Sequence, residues 1–388
     1  ITINLEMIQA NRLNFVEEYY FSKKLREVSR LVSQGRDIIN LGIGSPDLFP
    51  PQSSILALTK SLNYENSHKY QSYQGIPELR QEISNYYKVF FNTKLCPENE
   101  VLPLIGSKEG IMHISMAFLN EGDGVLVPNP GYPTYLSVSK IIGANINFYD
   151  LSPKNKWLPD LNNLMKKDLS KVKLMWINYP HMPTGAISDT KFYKKMIDFA
   201  KEKNILIVND NPYAHILNNN PTSILSIPGA KKYSLELQSF SKAYNMSGWR
   251  IGMVSGHEKY IKTILKMKSN MDSGMFLGIQ KGAIAALKEG KKWFADLNKK
   301  YARRRNLIYS LARELDTDFE KDTAGMFVWA KLPGGKKSSE LFIENLLSKY
   351  DIFVAPGIIF GDKGEGYIRF SLCVSESKIK EAIKRVKK

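Results

Sequence analysis

Cysteine is nearly missing from this chain: only Cys96 and Cys373 occur in 388 residues, which excludes a disulfide framework and a cysteine-rich zinc site. Histidine is scarce too, and His68, His113, His181, His215 and His257 show no metal-ligand spacing. No apolar run approaches the ~18 residues of a membrane span; even residues 274–287 are broken by Gln280 and Lys281. Low-complexity tracts, internal repeats and linkers rich in Pro, Gly or Ser are absent. With 43% hydrophobic and 11% aromatic residues, disorder is excluded as the main character. Residues 1–4 lack the basic-then-apolar order of a signal peptide, so the expected location is cytoplasmic, away from any membrane. Acidic residues are in deficit, 38 against 55 basic, for a net charge of +17. The basic clusters, such as Lys194-Lys195 and Arg303-Arg304-Arg305, are scattered over segments of helical period and form no stripe with aromatics. They read as solvated helix faces, and no nucleic-acid partner is expected.

What is present is an alternation of short apolar runs with longer amphipathic ones. Residues 125–128, 174–177, 205–208 and 251–254 are apolar and bounded by turn residues, and helical patterns such as 78–87, 110–119 and 190–203 lie between them. Such alternation predicts an α/β fold with a mostly parallel sheet covered by helices on both faces. Beyond about Ser273 the pattern turns to long basic helices, a few strands and a final helix, predicting a smaller α+β C-terminal domain. The expected division is an N-terminal segment 1–46 packing on the small domain and on a partner, a large domain 47–275 and a small domain 276–388.

Polar residues gather where the apolar runs end: Asn178-Tyr179-Pro180, Asn209-Asp210-Asn211-Pro212 and Ser239-Phe240-Ser241-Lys242. Ligands of open α/β sheets bind beyond the carboxyl ends of the strands. The most specific segment is Ser239-Phe240-Ser241-Lys242-Ala243-Tyr244-Asn245-Met246-Ser247-Gly248-Trp249-Arg250. Two hydroxyls and a guanidinium can chelate a phosphate, while the Lys242 amine is free to form a Schiff base with an aldehyde. Both functions together point to pyridoxal 5'-phosphate. Ser239 to Lys242 also fits the Ser-x-x-Lys of serine acyl-enzymes, but their Lys-Thr-Gly partner is missing and Ser188-Asp189-Thr190 only approximates their Ser-Asp-Asn.

From about Ile38 onward the chain resembles the fold type I pyridoxal phosphate enzymes, specifically the class I/II aminotransferases of the aspartate aminotransferase type. Several independent motifs occur in the family's order. The resemblance implies that Lys242 carries the cofactor and moves a proton at the substrate's α-carbon, with Ser239, Ser241 and Arg250 holding the phosphate. It implies that Asp210, in Asp210-Asn211-Pro212-Tyr213, keeps the pyridine nitrogen protonated and that Tyr213 donates to the phenolic oxygen. Asn178 opens Asn178-Tyr179-Pro180-His181-Met182-Pro183-Thr184-Gly185, similar to the family's Asn-x-Pro-x-Asn-Pro-Thr-Gly. There Met182 stands where the family has a second Asn, and a thioether cannot donate a hydrogen bond. His181 is expected to be a polar neighbour rather than a base.

The same resemblance implies that Gly106, Ser107 and Lys108 offer backbone contacts to the phosphate at a helix N-terminus. Tyr132 is implied to stack on the cofactor ring, and Arg369 and the Gly44 backbone to hold the substrate α-carboxylate. Tyr70 is implied to cross a dimer interface to the partner's phosphate, making a homodimer with composite sites. The forms of 106–110 and 268–274 resemble most closely the subgroup that includes LL-diaminopimelate aminotransferases. The implied activity is ping-pong transamination of an L-amino acid with a 2-oxo acid, 2-oxoglutarate being the expected acceptor. The alternative keeps the cofactor but eliminates a leaving group, as in a carbon-sulfur lyase.

Overall fold

The protein was analysed as a computed structural model describing residues 9–18, 20–335 and 338–387. Residues 1–4, read above for their lack of a leader pattern, lie outside that range. Seven strands form the main sheet: β1 (Val101–Leu104), β2 (Gly124–Asn129), β3 (Asn145–Asp150), β4 (Val172–Ile177), β5 (Leu206–Asp210), β6 (Ser234–Ser239) and β7 (Gly252–Gly256). Their order is β1-β7-β6-β5-β4-β2-β3. Only β7 runs antiparallel to its neighbours; the other pairs are parallel. The expected α/β class with a mostly parallel sheet is therefore what the chain adopts.

Burial explains which strands could be read from the sequence. Every residue of β2 and β6 is buried, because helices cover both faces; β2 is largely an apolar run, whereas β6 (Ser-Leu-Glu-Leu-Gln-Ser) buries polar side chains that are hydrogen-bonded in the interior, Glu236 and Gln238 among them. At the rim, β3 (Asn-Ile-Asn-Phe-Tyr-Asp) leaves three of its residues exposed, so it carries polar side chains and lacks an apolar run. The opposite rim, β1, contains Pro103, tolerated because an edge strand has a free side for a residue without N–H. Neither edge strand was predicted.

A second sheet of four strands collects residues 318–319, 327–331, 355–356 and 367–371. Its antiparallel register pairs Trp329 with Arg369 and Ala355 with Arg369. The N-terminal portion joins this part of the molecule: Ile39 and Asn40 pair in parallel with Ile352 and Phe353. Helix α1 (Tyr20–Ser33) adds Lys24, which pairs with Glu27 and Glu344. Ahead of it, residues 11–15 form a separate 3₁₀ turn. The long basic helices expected beyond Ser273 are Leu277–Lys288 and Gly290–Glu314, joined at Glu289.

Ile207 sits on β5, fully buried between β4 and β6. Truncating it to Ala removes buried methyl groups and leaves a cavity that the flanking strands cannot close. The expected cost is about 2–5 kcal/mol, measured as a drop in the urea midpoint; a shift below about 0.5 kcal/mol would contradict the packing described.

Candidate active site

The strand ends converge on a cavity of about 550 Å³. Asn178 follows β4, Asp210 ends β5, and Ser239 ends β6 and caps the short helix Phe240–Ala243 that carries Lys242. The parallel register makes this inevitable, because β4, β5 and β6 run side by side and finish at one edge. The sequence-derived candidates can be sorted by position. Gly44, Ser107, Lys108, Tyr132, Asn178, Asp210, Tyr213, Ser239, Ser241, Lys242, Arg250 and Arg369 line the cavity, with Met182 beside them. Gly106 stands just behind, and Tyr70 does not line it: its side chain is 90% exposed on the surface of its own chain.

Asp210 is buried, and its Oδ2 accepts a hydrogen bond from the Tyr135 hydroxyl at 2.8 Å. Its Oδ1 is also buried and has no hydrogen-bond partner among the described residues. Burial pushes the Asp210 carboxyl up from 3.8 to about 6, against the Tyr135 bond, which pulls it down. An acceptor oxygen shut away from water costs free energy until a donor reaches it. A protonated pyridine nitrogen is such a donor, and a cation there would draw the carboxyl pKa down again. Tyr135 escaped the sequence reading. Its signal was spacing, since it lies three residues after Tyr132 on the helix Pro133–Ile142, and its ring stacks on Trp176 of β4 with centroids 5.0 Å apart.

At the other end, two cations gather. Lys108 is held below its ordinary pKa by burial and by the nearby Arg250 guanidinium. Arg250 Nη1 donates to Ser241 Oγ at 3.4 Å and to the Ser247 carbonyl at 2.9 Å. Ser239 Oγ in turn accepts from the Ser241 N–H at 3.2 Å. Helix α2 (Ser107–Phe118) points its free amides here from Gly106, whose φ of 89° suits glycine. Any side chain at 106 would collide with the Arg250 guanidinium. Two cations, two hydroxyls and a helix N-terminus around one space fit a phosphate, and with Asp210 Oδ1 at the far end the residues fit pyridoxal phosphate.

Between these ends lies Lys242. Its Nζ donates to the Gly44 carbonyl, and burial holds its pKa below the ordinary value, with Arg369 and Arg250 adding to the effect. A lysine so placed is more readily neutral and nucleophilic. Tyr213 is buried, which raises its hydroxyl pKa and keeps it a donor. Arg369 Nη2 donates to the Gly42 carbonyl at 2.7 Å and Nη1 to Met182 Sδ at 3.2 Å. Its guanidinium lies 3.9 Å from the Phe327 ring centroid and 4.8 Å from that of Phe360. A side chain on Gly44 would strike Phe327.

The Asn178 side chain is used locally: it donates to the Asp210 carbonyl and accepts from the Met182 N–H at 2.7 Å. It thereby fastens the 178–185 segment to the end of β5. His181 is buried with Nδ1 2.8 Å from Thr184 Oγ1, and burial lowers its pKa to about 3, so it stays neutral. Glu109, His113 and Asp272 bring ligand atoms within 4.8 Å of one another, a gathering the sequence spacing did not suggest. The cation beside it is the buried Lys268 ammonium, paired with Asp272 at 2.8 Å. Glu109 bonds His113 at 2.7 Å. No helix among the described residues is long and apolar enough to cross a membrane.

Replacing Tyr135 by Phe removes the one bond that favours ionised Asp210, so in the cofactor-free chain the Asp210 pKa should rise above about 6. A carboxyl whose folded pKa exceeds its unfolded value contributes stability at low pH that is lost as pH climbs from about 4 through about 6. Carbon-13 NMR of the labelled carboxyl tests both statements; a pKa unchanged in Tyr135→Phe would contradict the assigned contact.

The comparisons with known proteins agree with this geometry. The aminotransferase class I and II family model matches residues 36–386. An LL-diaminopimelate aminotransferase of Maridesulfovibrio salexigens is 40% identical over 98% of this chain and 98% of its own. One from Aquifex aeolicus is 38% identical over 97% and 98%. Among solved structures, a substrate-bound BacF from a Bacillus superposes with a TM-score of 0.94 at 34% identity, covering 98% of this chain and 97% of its own. An aspartate aminotransferase variant of Thermus thermophilus, at 23% identity and a TM-score of 0.90 over 97% of this chain and 98% of its own, shares the fold. The chain belongs to the class I and II aminotransferases and is a pyridoxal phosphate-dependent enzyme of fold type I.

Proposed function

We propose that this enzyme transfers the amino group of an L-amino acid to a 2-oxo acid in two alternating half-reactions, with 2-oxoglutarate as acceptor and Lys242 as the covalent and proton-moving residue. The observation that carries this reading is the buried Asp210 oxygen without a partner at one end of a cavity whose other end is cationic. Bound there, pyridoxal phosphate supplies an aldehyde that condenses with amines and a ring that takes up the electrons left when a substrate C–H bond breaks.

The chain's own residues do the rest. Ser239, Ser241, Arg250 and the amides from Gly106 to Lys108 anchor the phosphate, and Tyr132 covers one ring face. Asp210 holds a proton on the pyridine nitrogen, and the Tyr213 hydroxyl donates to the phenolic oxygen. Arg369, with the Gly44 backbone, clamps the substrate α-carboxylate. That orients the Cα–H bond toward the Lys242 amine, which removes the proton. The division at 47–275 and 276–388 belongs to the same reading, since Asp210 and Lys242 come from one unit and Arg369 from the other.

A homodimer completes the proposal. Tyr70 does not line its own cavity, and Phe49, Leu56, Tyr73 and Met271 are exposed at 83%, 60%, 45% and 51%. Apolar exposure of this kind suits a second copy. Tyr70 then reaches the partner's phosphate. Diaminopimelate, in the names of the relatives above, is the first donor to assay.

Borohydride reduction of the holoenzyme followed by peptide mass spectrometry should find the cofactor mass on Lys242; a label on any other lysine would falsify the assignment. Lys242→Ala should lower kcat by at least about 10²-fold, the scale of a positioned general base. Arg369→Ala should raise KM for the amino acid roughly 10- to 100-fold, the scale of one to two charged hydrogen bonds. An unchanged KM would remove Arg369 from the carboxylate site.

A further inference from the structure

On the side of the sheet facing away from the cavity lies a carboxylate that none of the roles above uses. Glu236 of β6 is fully buried. Its oxygens accept from Ser223 Oγ at 2.8 Å, the Ile224 N–H at 3.1 Å, Asn209 Nδ2 at 3.1 Å, Gln238 Nε2 at 3.3 Å and Asn211 Nδ2 at 3.5 Å. Five donors saturate a carboxylate, which has about four lone-pair directions and no proton to give when ionised. Burial raises its pKa and these donors oppose the rise.

The donors are not scattered. Asn209 and Asn211 flank Asp210, and β5 and β6 pair with Asn209 opposite Glu236. Side chains alternate along a strand, so when 209 and 211 turn toward Glu236, 210 turns to the other face. That other face is the cavity. Asn209 Oδ1 also accepts from the Tyr179 N–H at 3.3 Å, reaching the segment that carries Asn178. Asn211 Nδ2 donates to the Thr222 carbonyl at 3.1 Å, and Gln238 adjoins Ser239.

We propose that Glu236 is a positioning residue for the reaction: one buried carboxylate ties together the three strand ends that present Asn178, Asp210 and Ser239, and thereby fixes the aim of Asp210 Oδ1. It rests on the reading that Asp210 meets the cofactor nitrogen. The anchor acts through backbone, since Glu236 touches neither substrate nor cofactor. Replacing it by Gln puts an NH₂ group against a ring of donors, so at least one bond must break and the 209–211 backbone must shift.

The test uses holoenzyme carrying pyridoxal phosphate labelled with nitrogen-15 in the ring, in wild type, Glu236→Gln, Asn211→Ala and Asp210→Asn. In the first two variants the ring-nitrogen shift should move toward that of Asp210→Asn. Their kcat should fall roughly 10- to 100-fold, the scale of a small misplacement, while KM for the donor changes less than about threefold. Asn211→Ala keeps the carboxylate and removes one of its donors together with the Thr222 contact, so it answers the question should Glu236→Gln not fold. Folded variants with a lower melting temperature but wild-type ring-nitrogen shift and kcat would overturn the inference and leave Glu236 merely structural. A wild-type shift in Asp210→Asn would instead overturn the underlying contact, and the inference with it.

Discussion

A carboxylate buried with one oxygen satisfied and the other empty is the constraint around which this molecule is arranged. Desolvation makes such a group costly, and it persists only where the surrounding structure overdetermines it. Around Asp210 that means the Tyr135 hydroxyl on one oxygen, the flat face of Trp176 behind Tyr135, and the polar lattice of Asn209, Asn211 and Glu236 across the strand. At the opposite end of the cavity the imbalance has the other sign, with Lys108 and Arg250 crowding a helix N-terminus. A ligand that is cationic at one end and dianionic at the other relieves both. The same cavity tunes Lys242, whose amine loses affinity for protons through the burial that excludes water from the site.

Much of this was legible in the sequence for physical reasons. Central strands buried on both faces favour continuous apolar runs, so β2, β4, β5 and β7 announced themselves; β6, with Glu236 and Gln238 inside it, carries no such run, and polar residues after the strands marked the cavity rim. Edge strands β1 and β3 did not, because an edge admits Pro103 and exposed Asn145 and Asp150. Motif order identified the family, as the match over 36–386 shows. What sequence spacing could not supply was contact across the fold. Tyr135 on Asp210, Glu236 beneath Asn209 and Asn211, and Gly42 and Met182 on Arg369 all join residues distant in the chain or on neighbouring strands.

Met182 shows how a departure from the family pattern is absorbed. In place of an amide, the thioether accepts from Arg369 Nη1 at 3.2 Å, a weak acceptor for a strong donor. The guanidinium is steadied further by the Gly42 carbonyl and the faces of Phe327 and Phe360. Arg369 is thus held at the cavity wall by packing, the Gly42 carbonyl and the Met182 thioether. The Asn178 amide, which lines the cavity, also bonds the Asp210 carbonyl and the Met182 N–H and so fastens the chamber wall to the end of β5.

The central claim is that the amino group stays with the protein after the substrate's carbon skeleton has gone. Its most direct measurement is a single half-reaction, in which holoenzyme is mixed with a nitrogen-15 amino acid and no acceptor. Transamination predicts about one 2-oxo acid per active site, with the label retained on the protein-bound cofactor until an oxo acid is added. Release of labelled ammonia in step with the oxo acid, without need of an acceptor, would contradict it and identify elimination as the chemistry of this site.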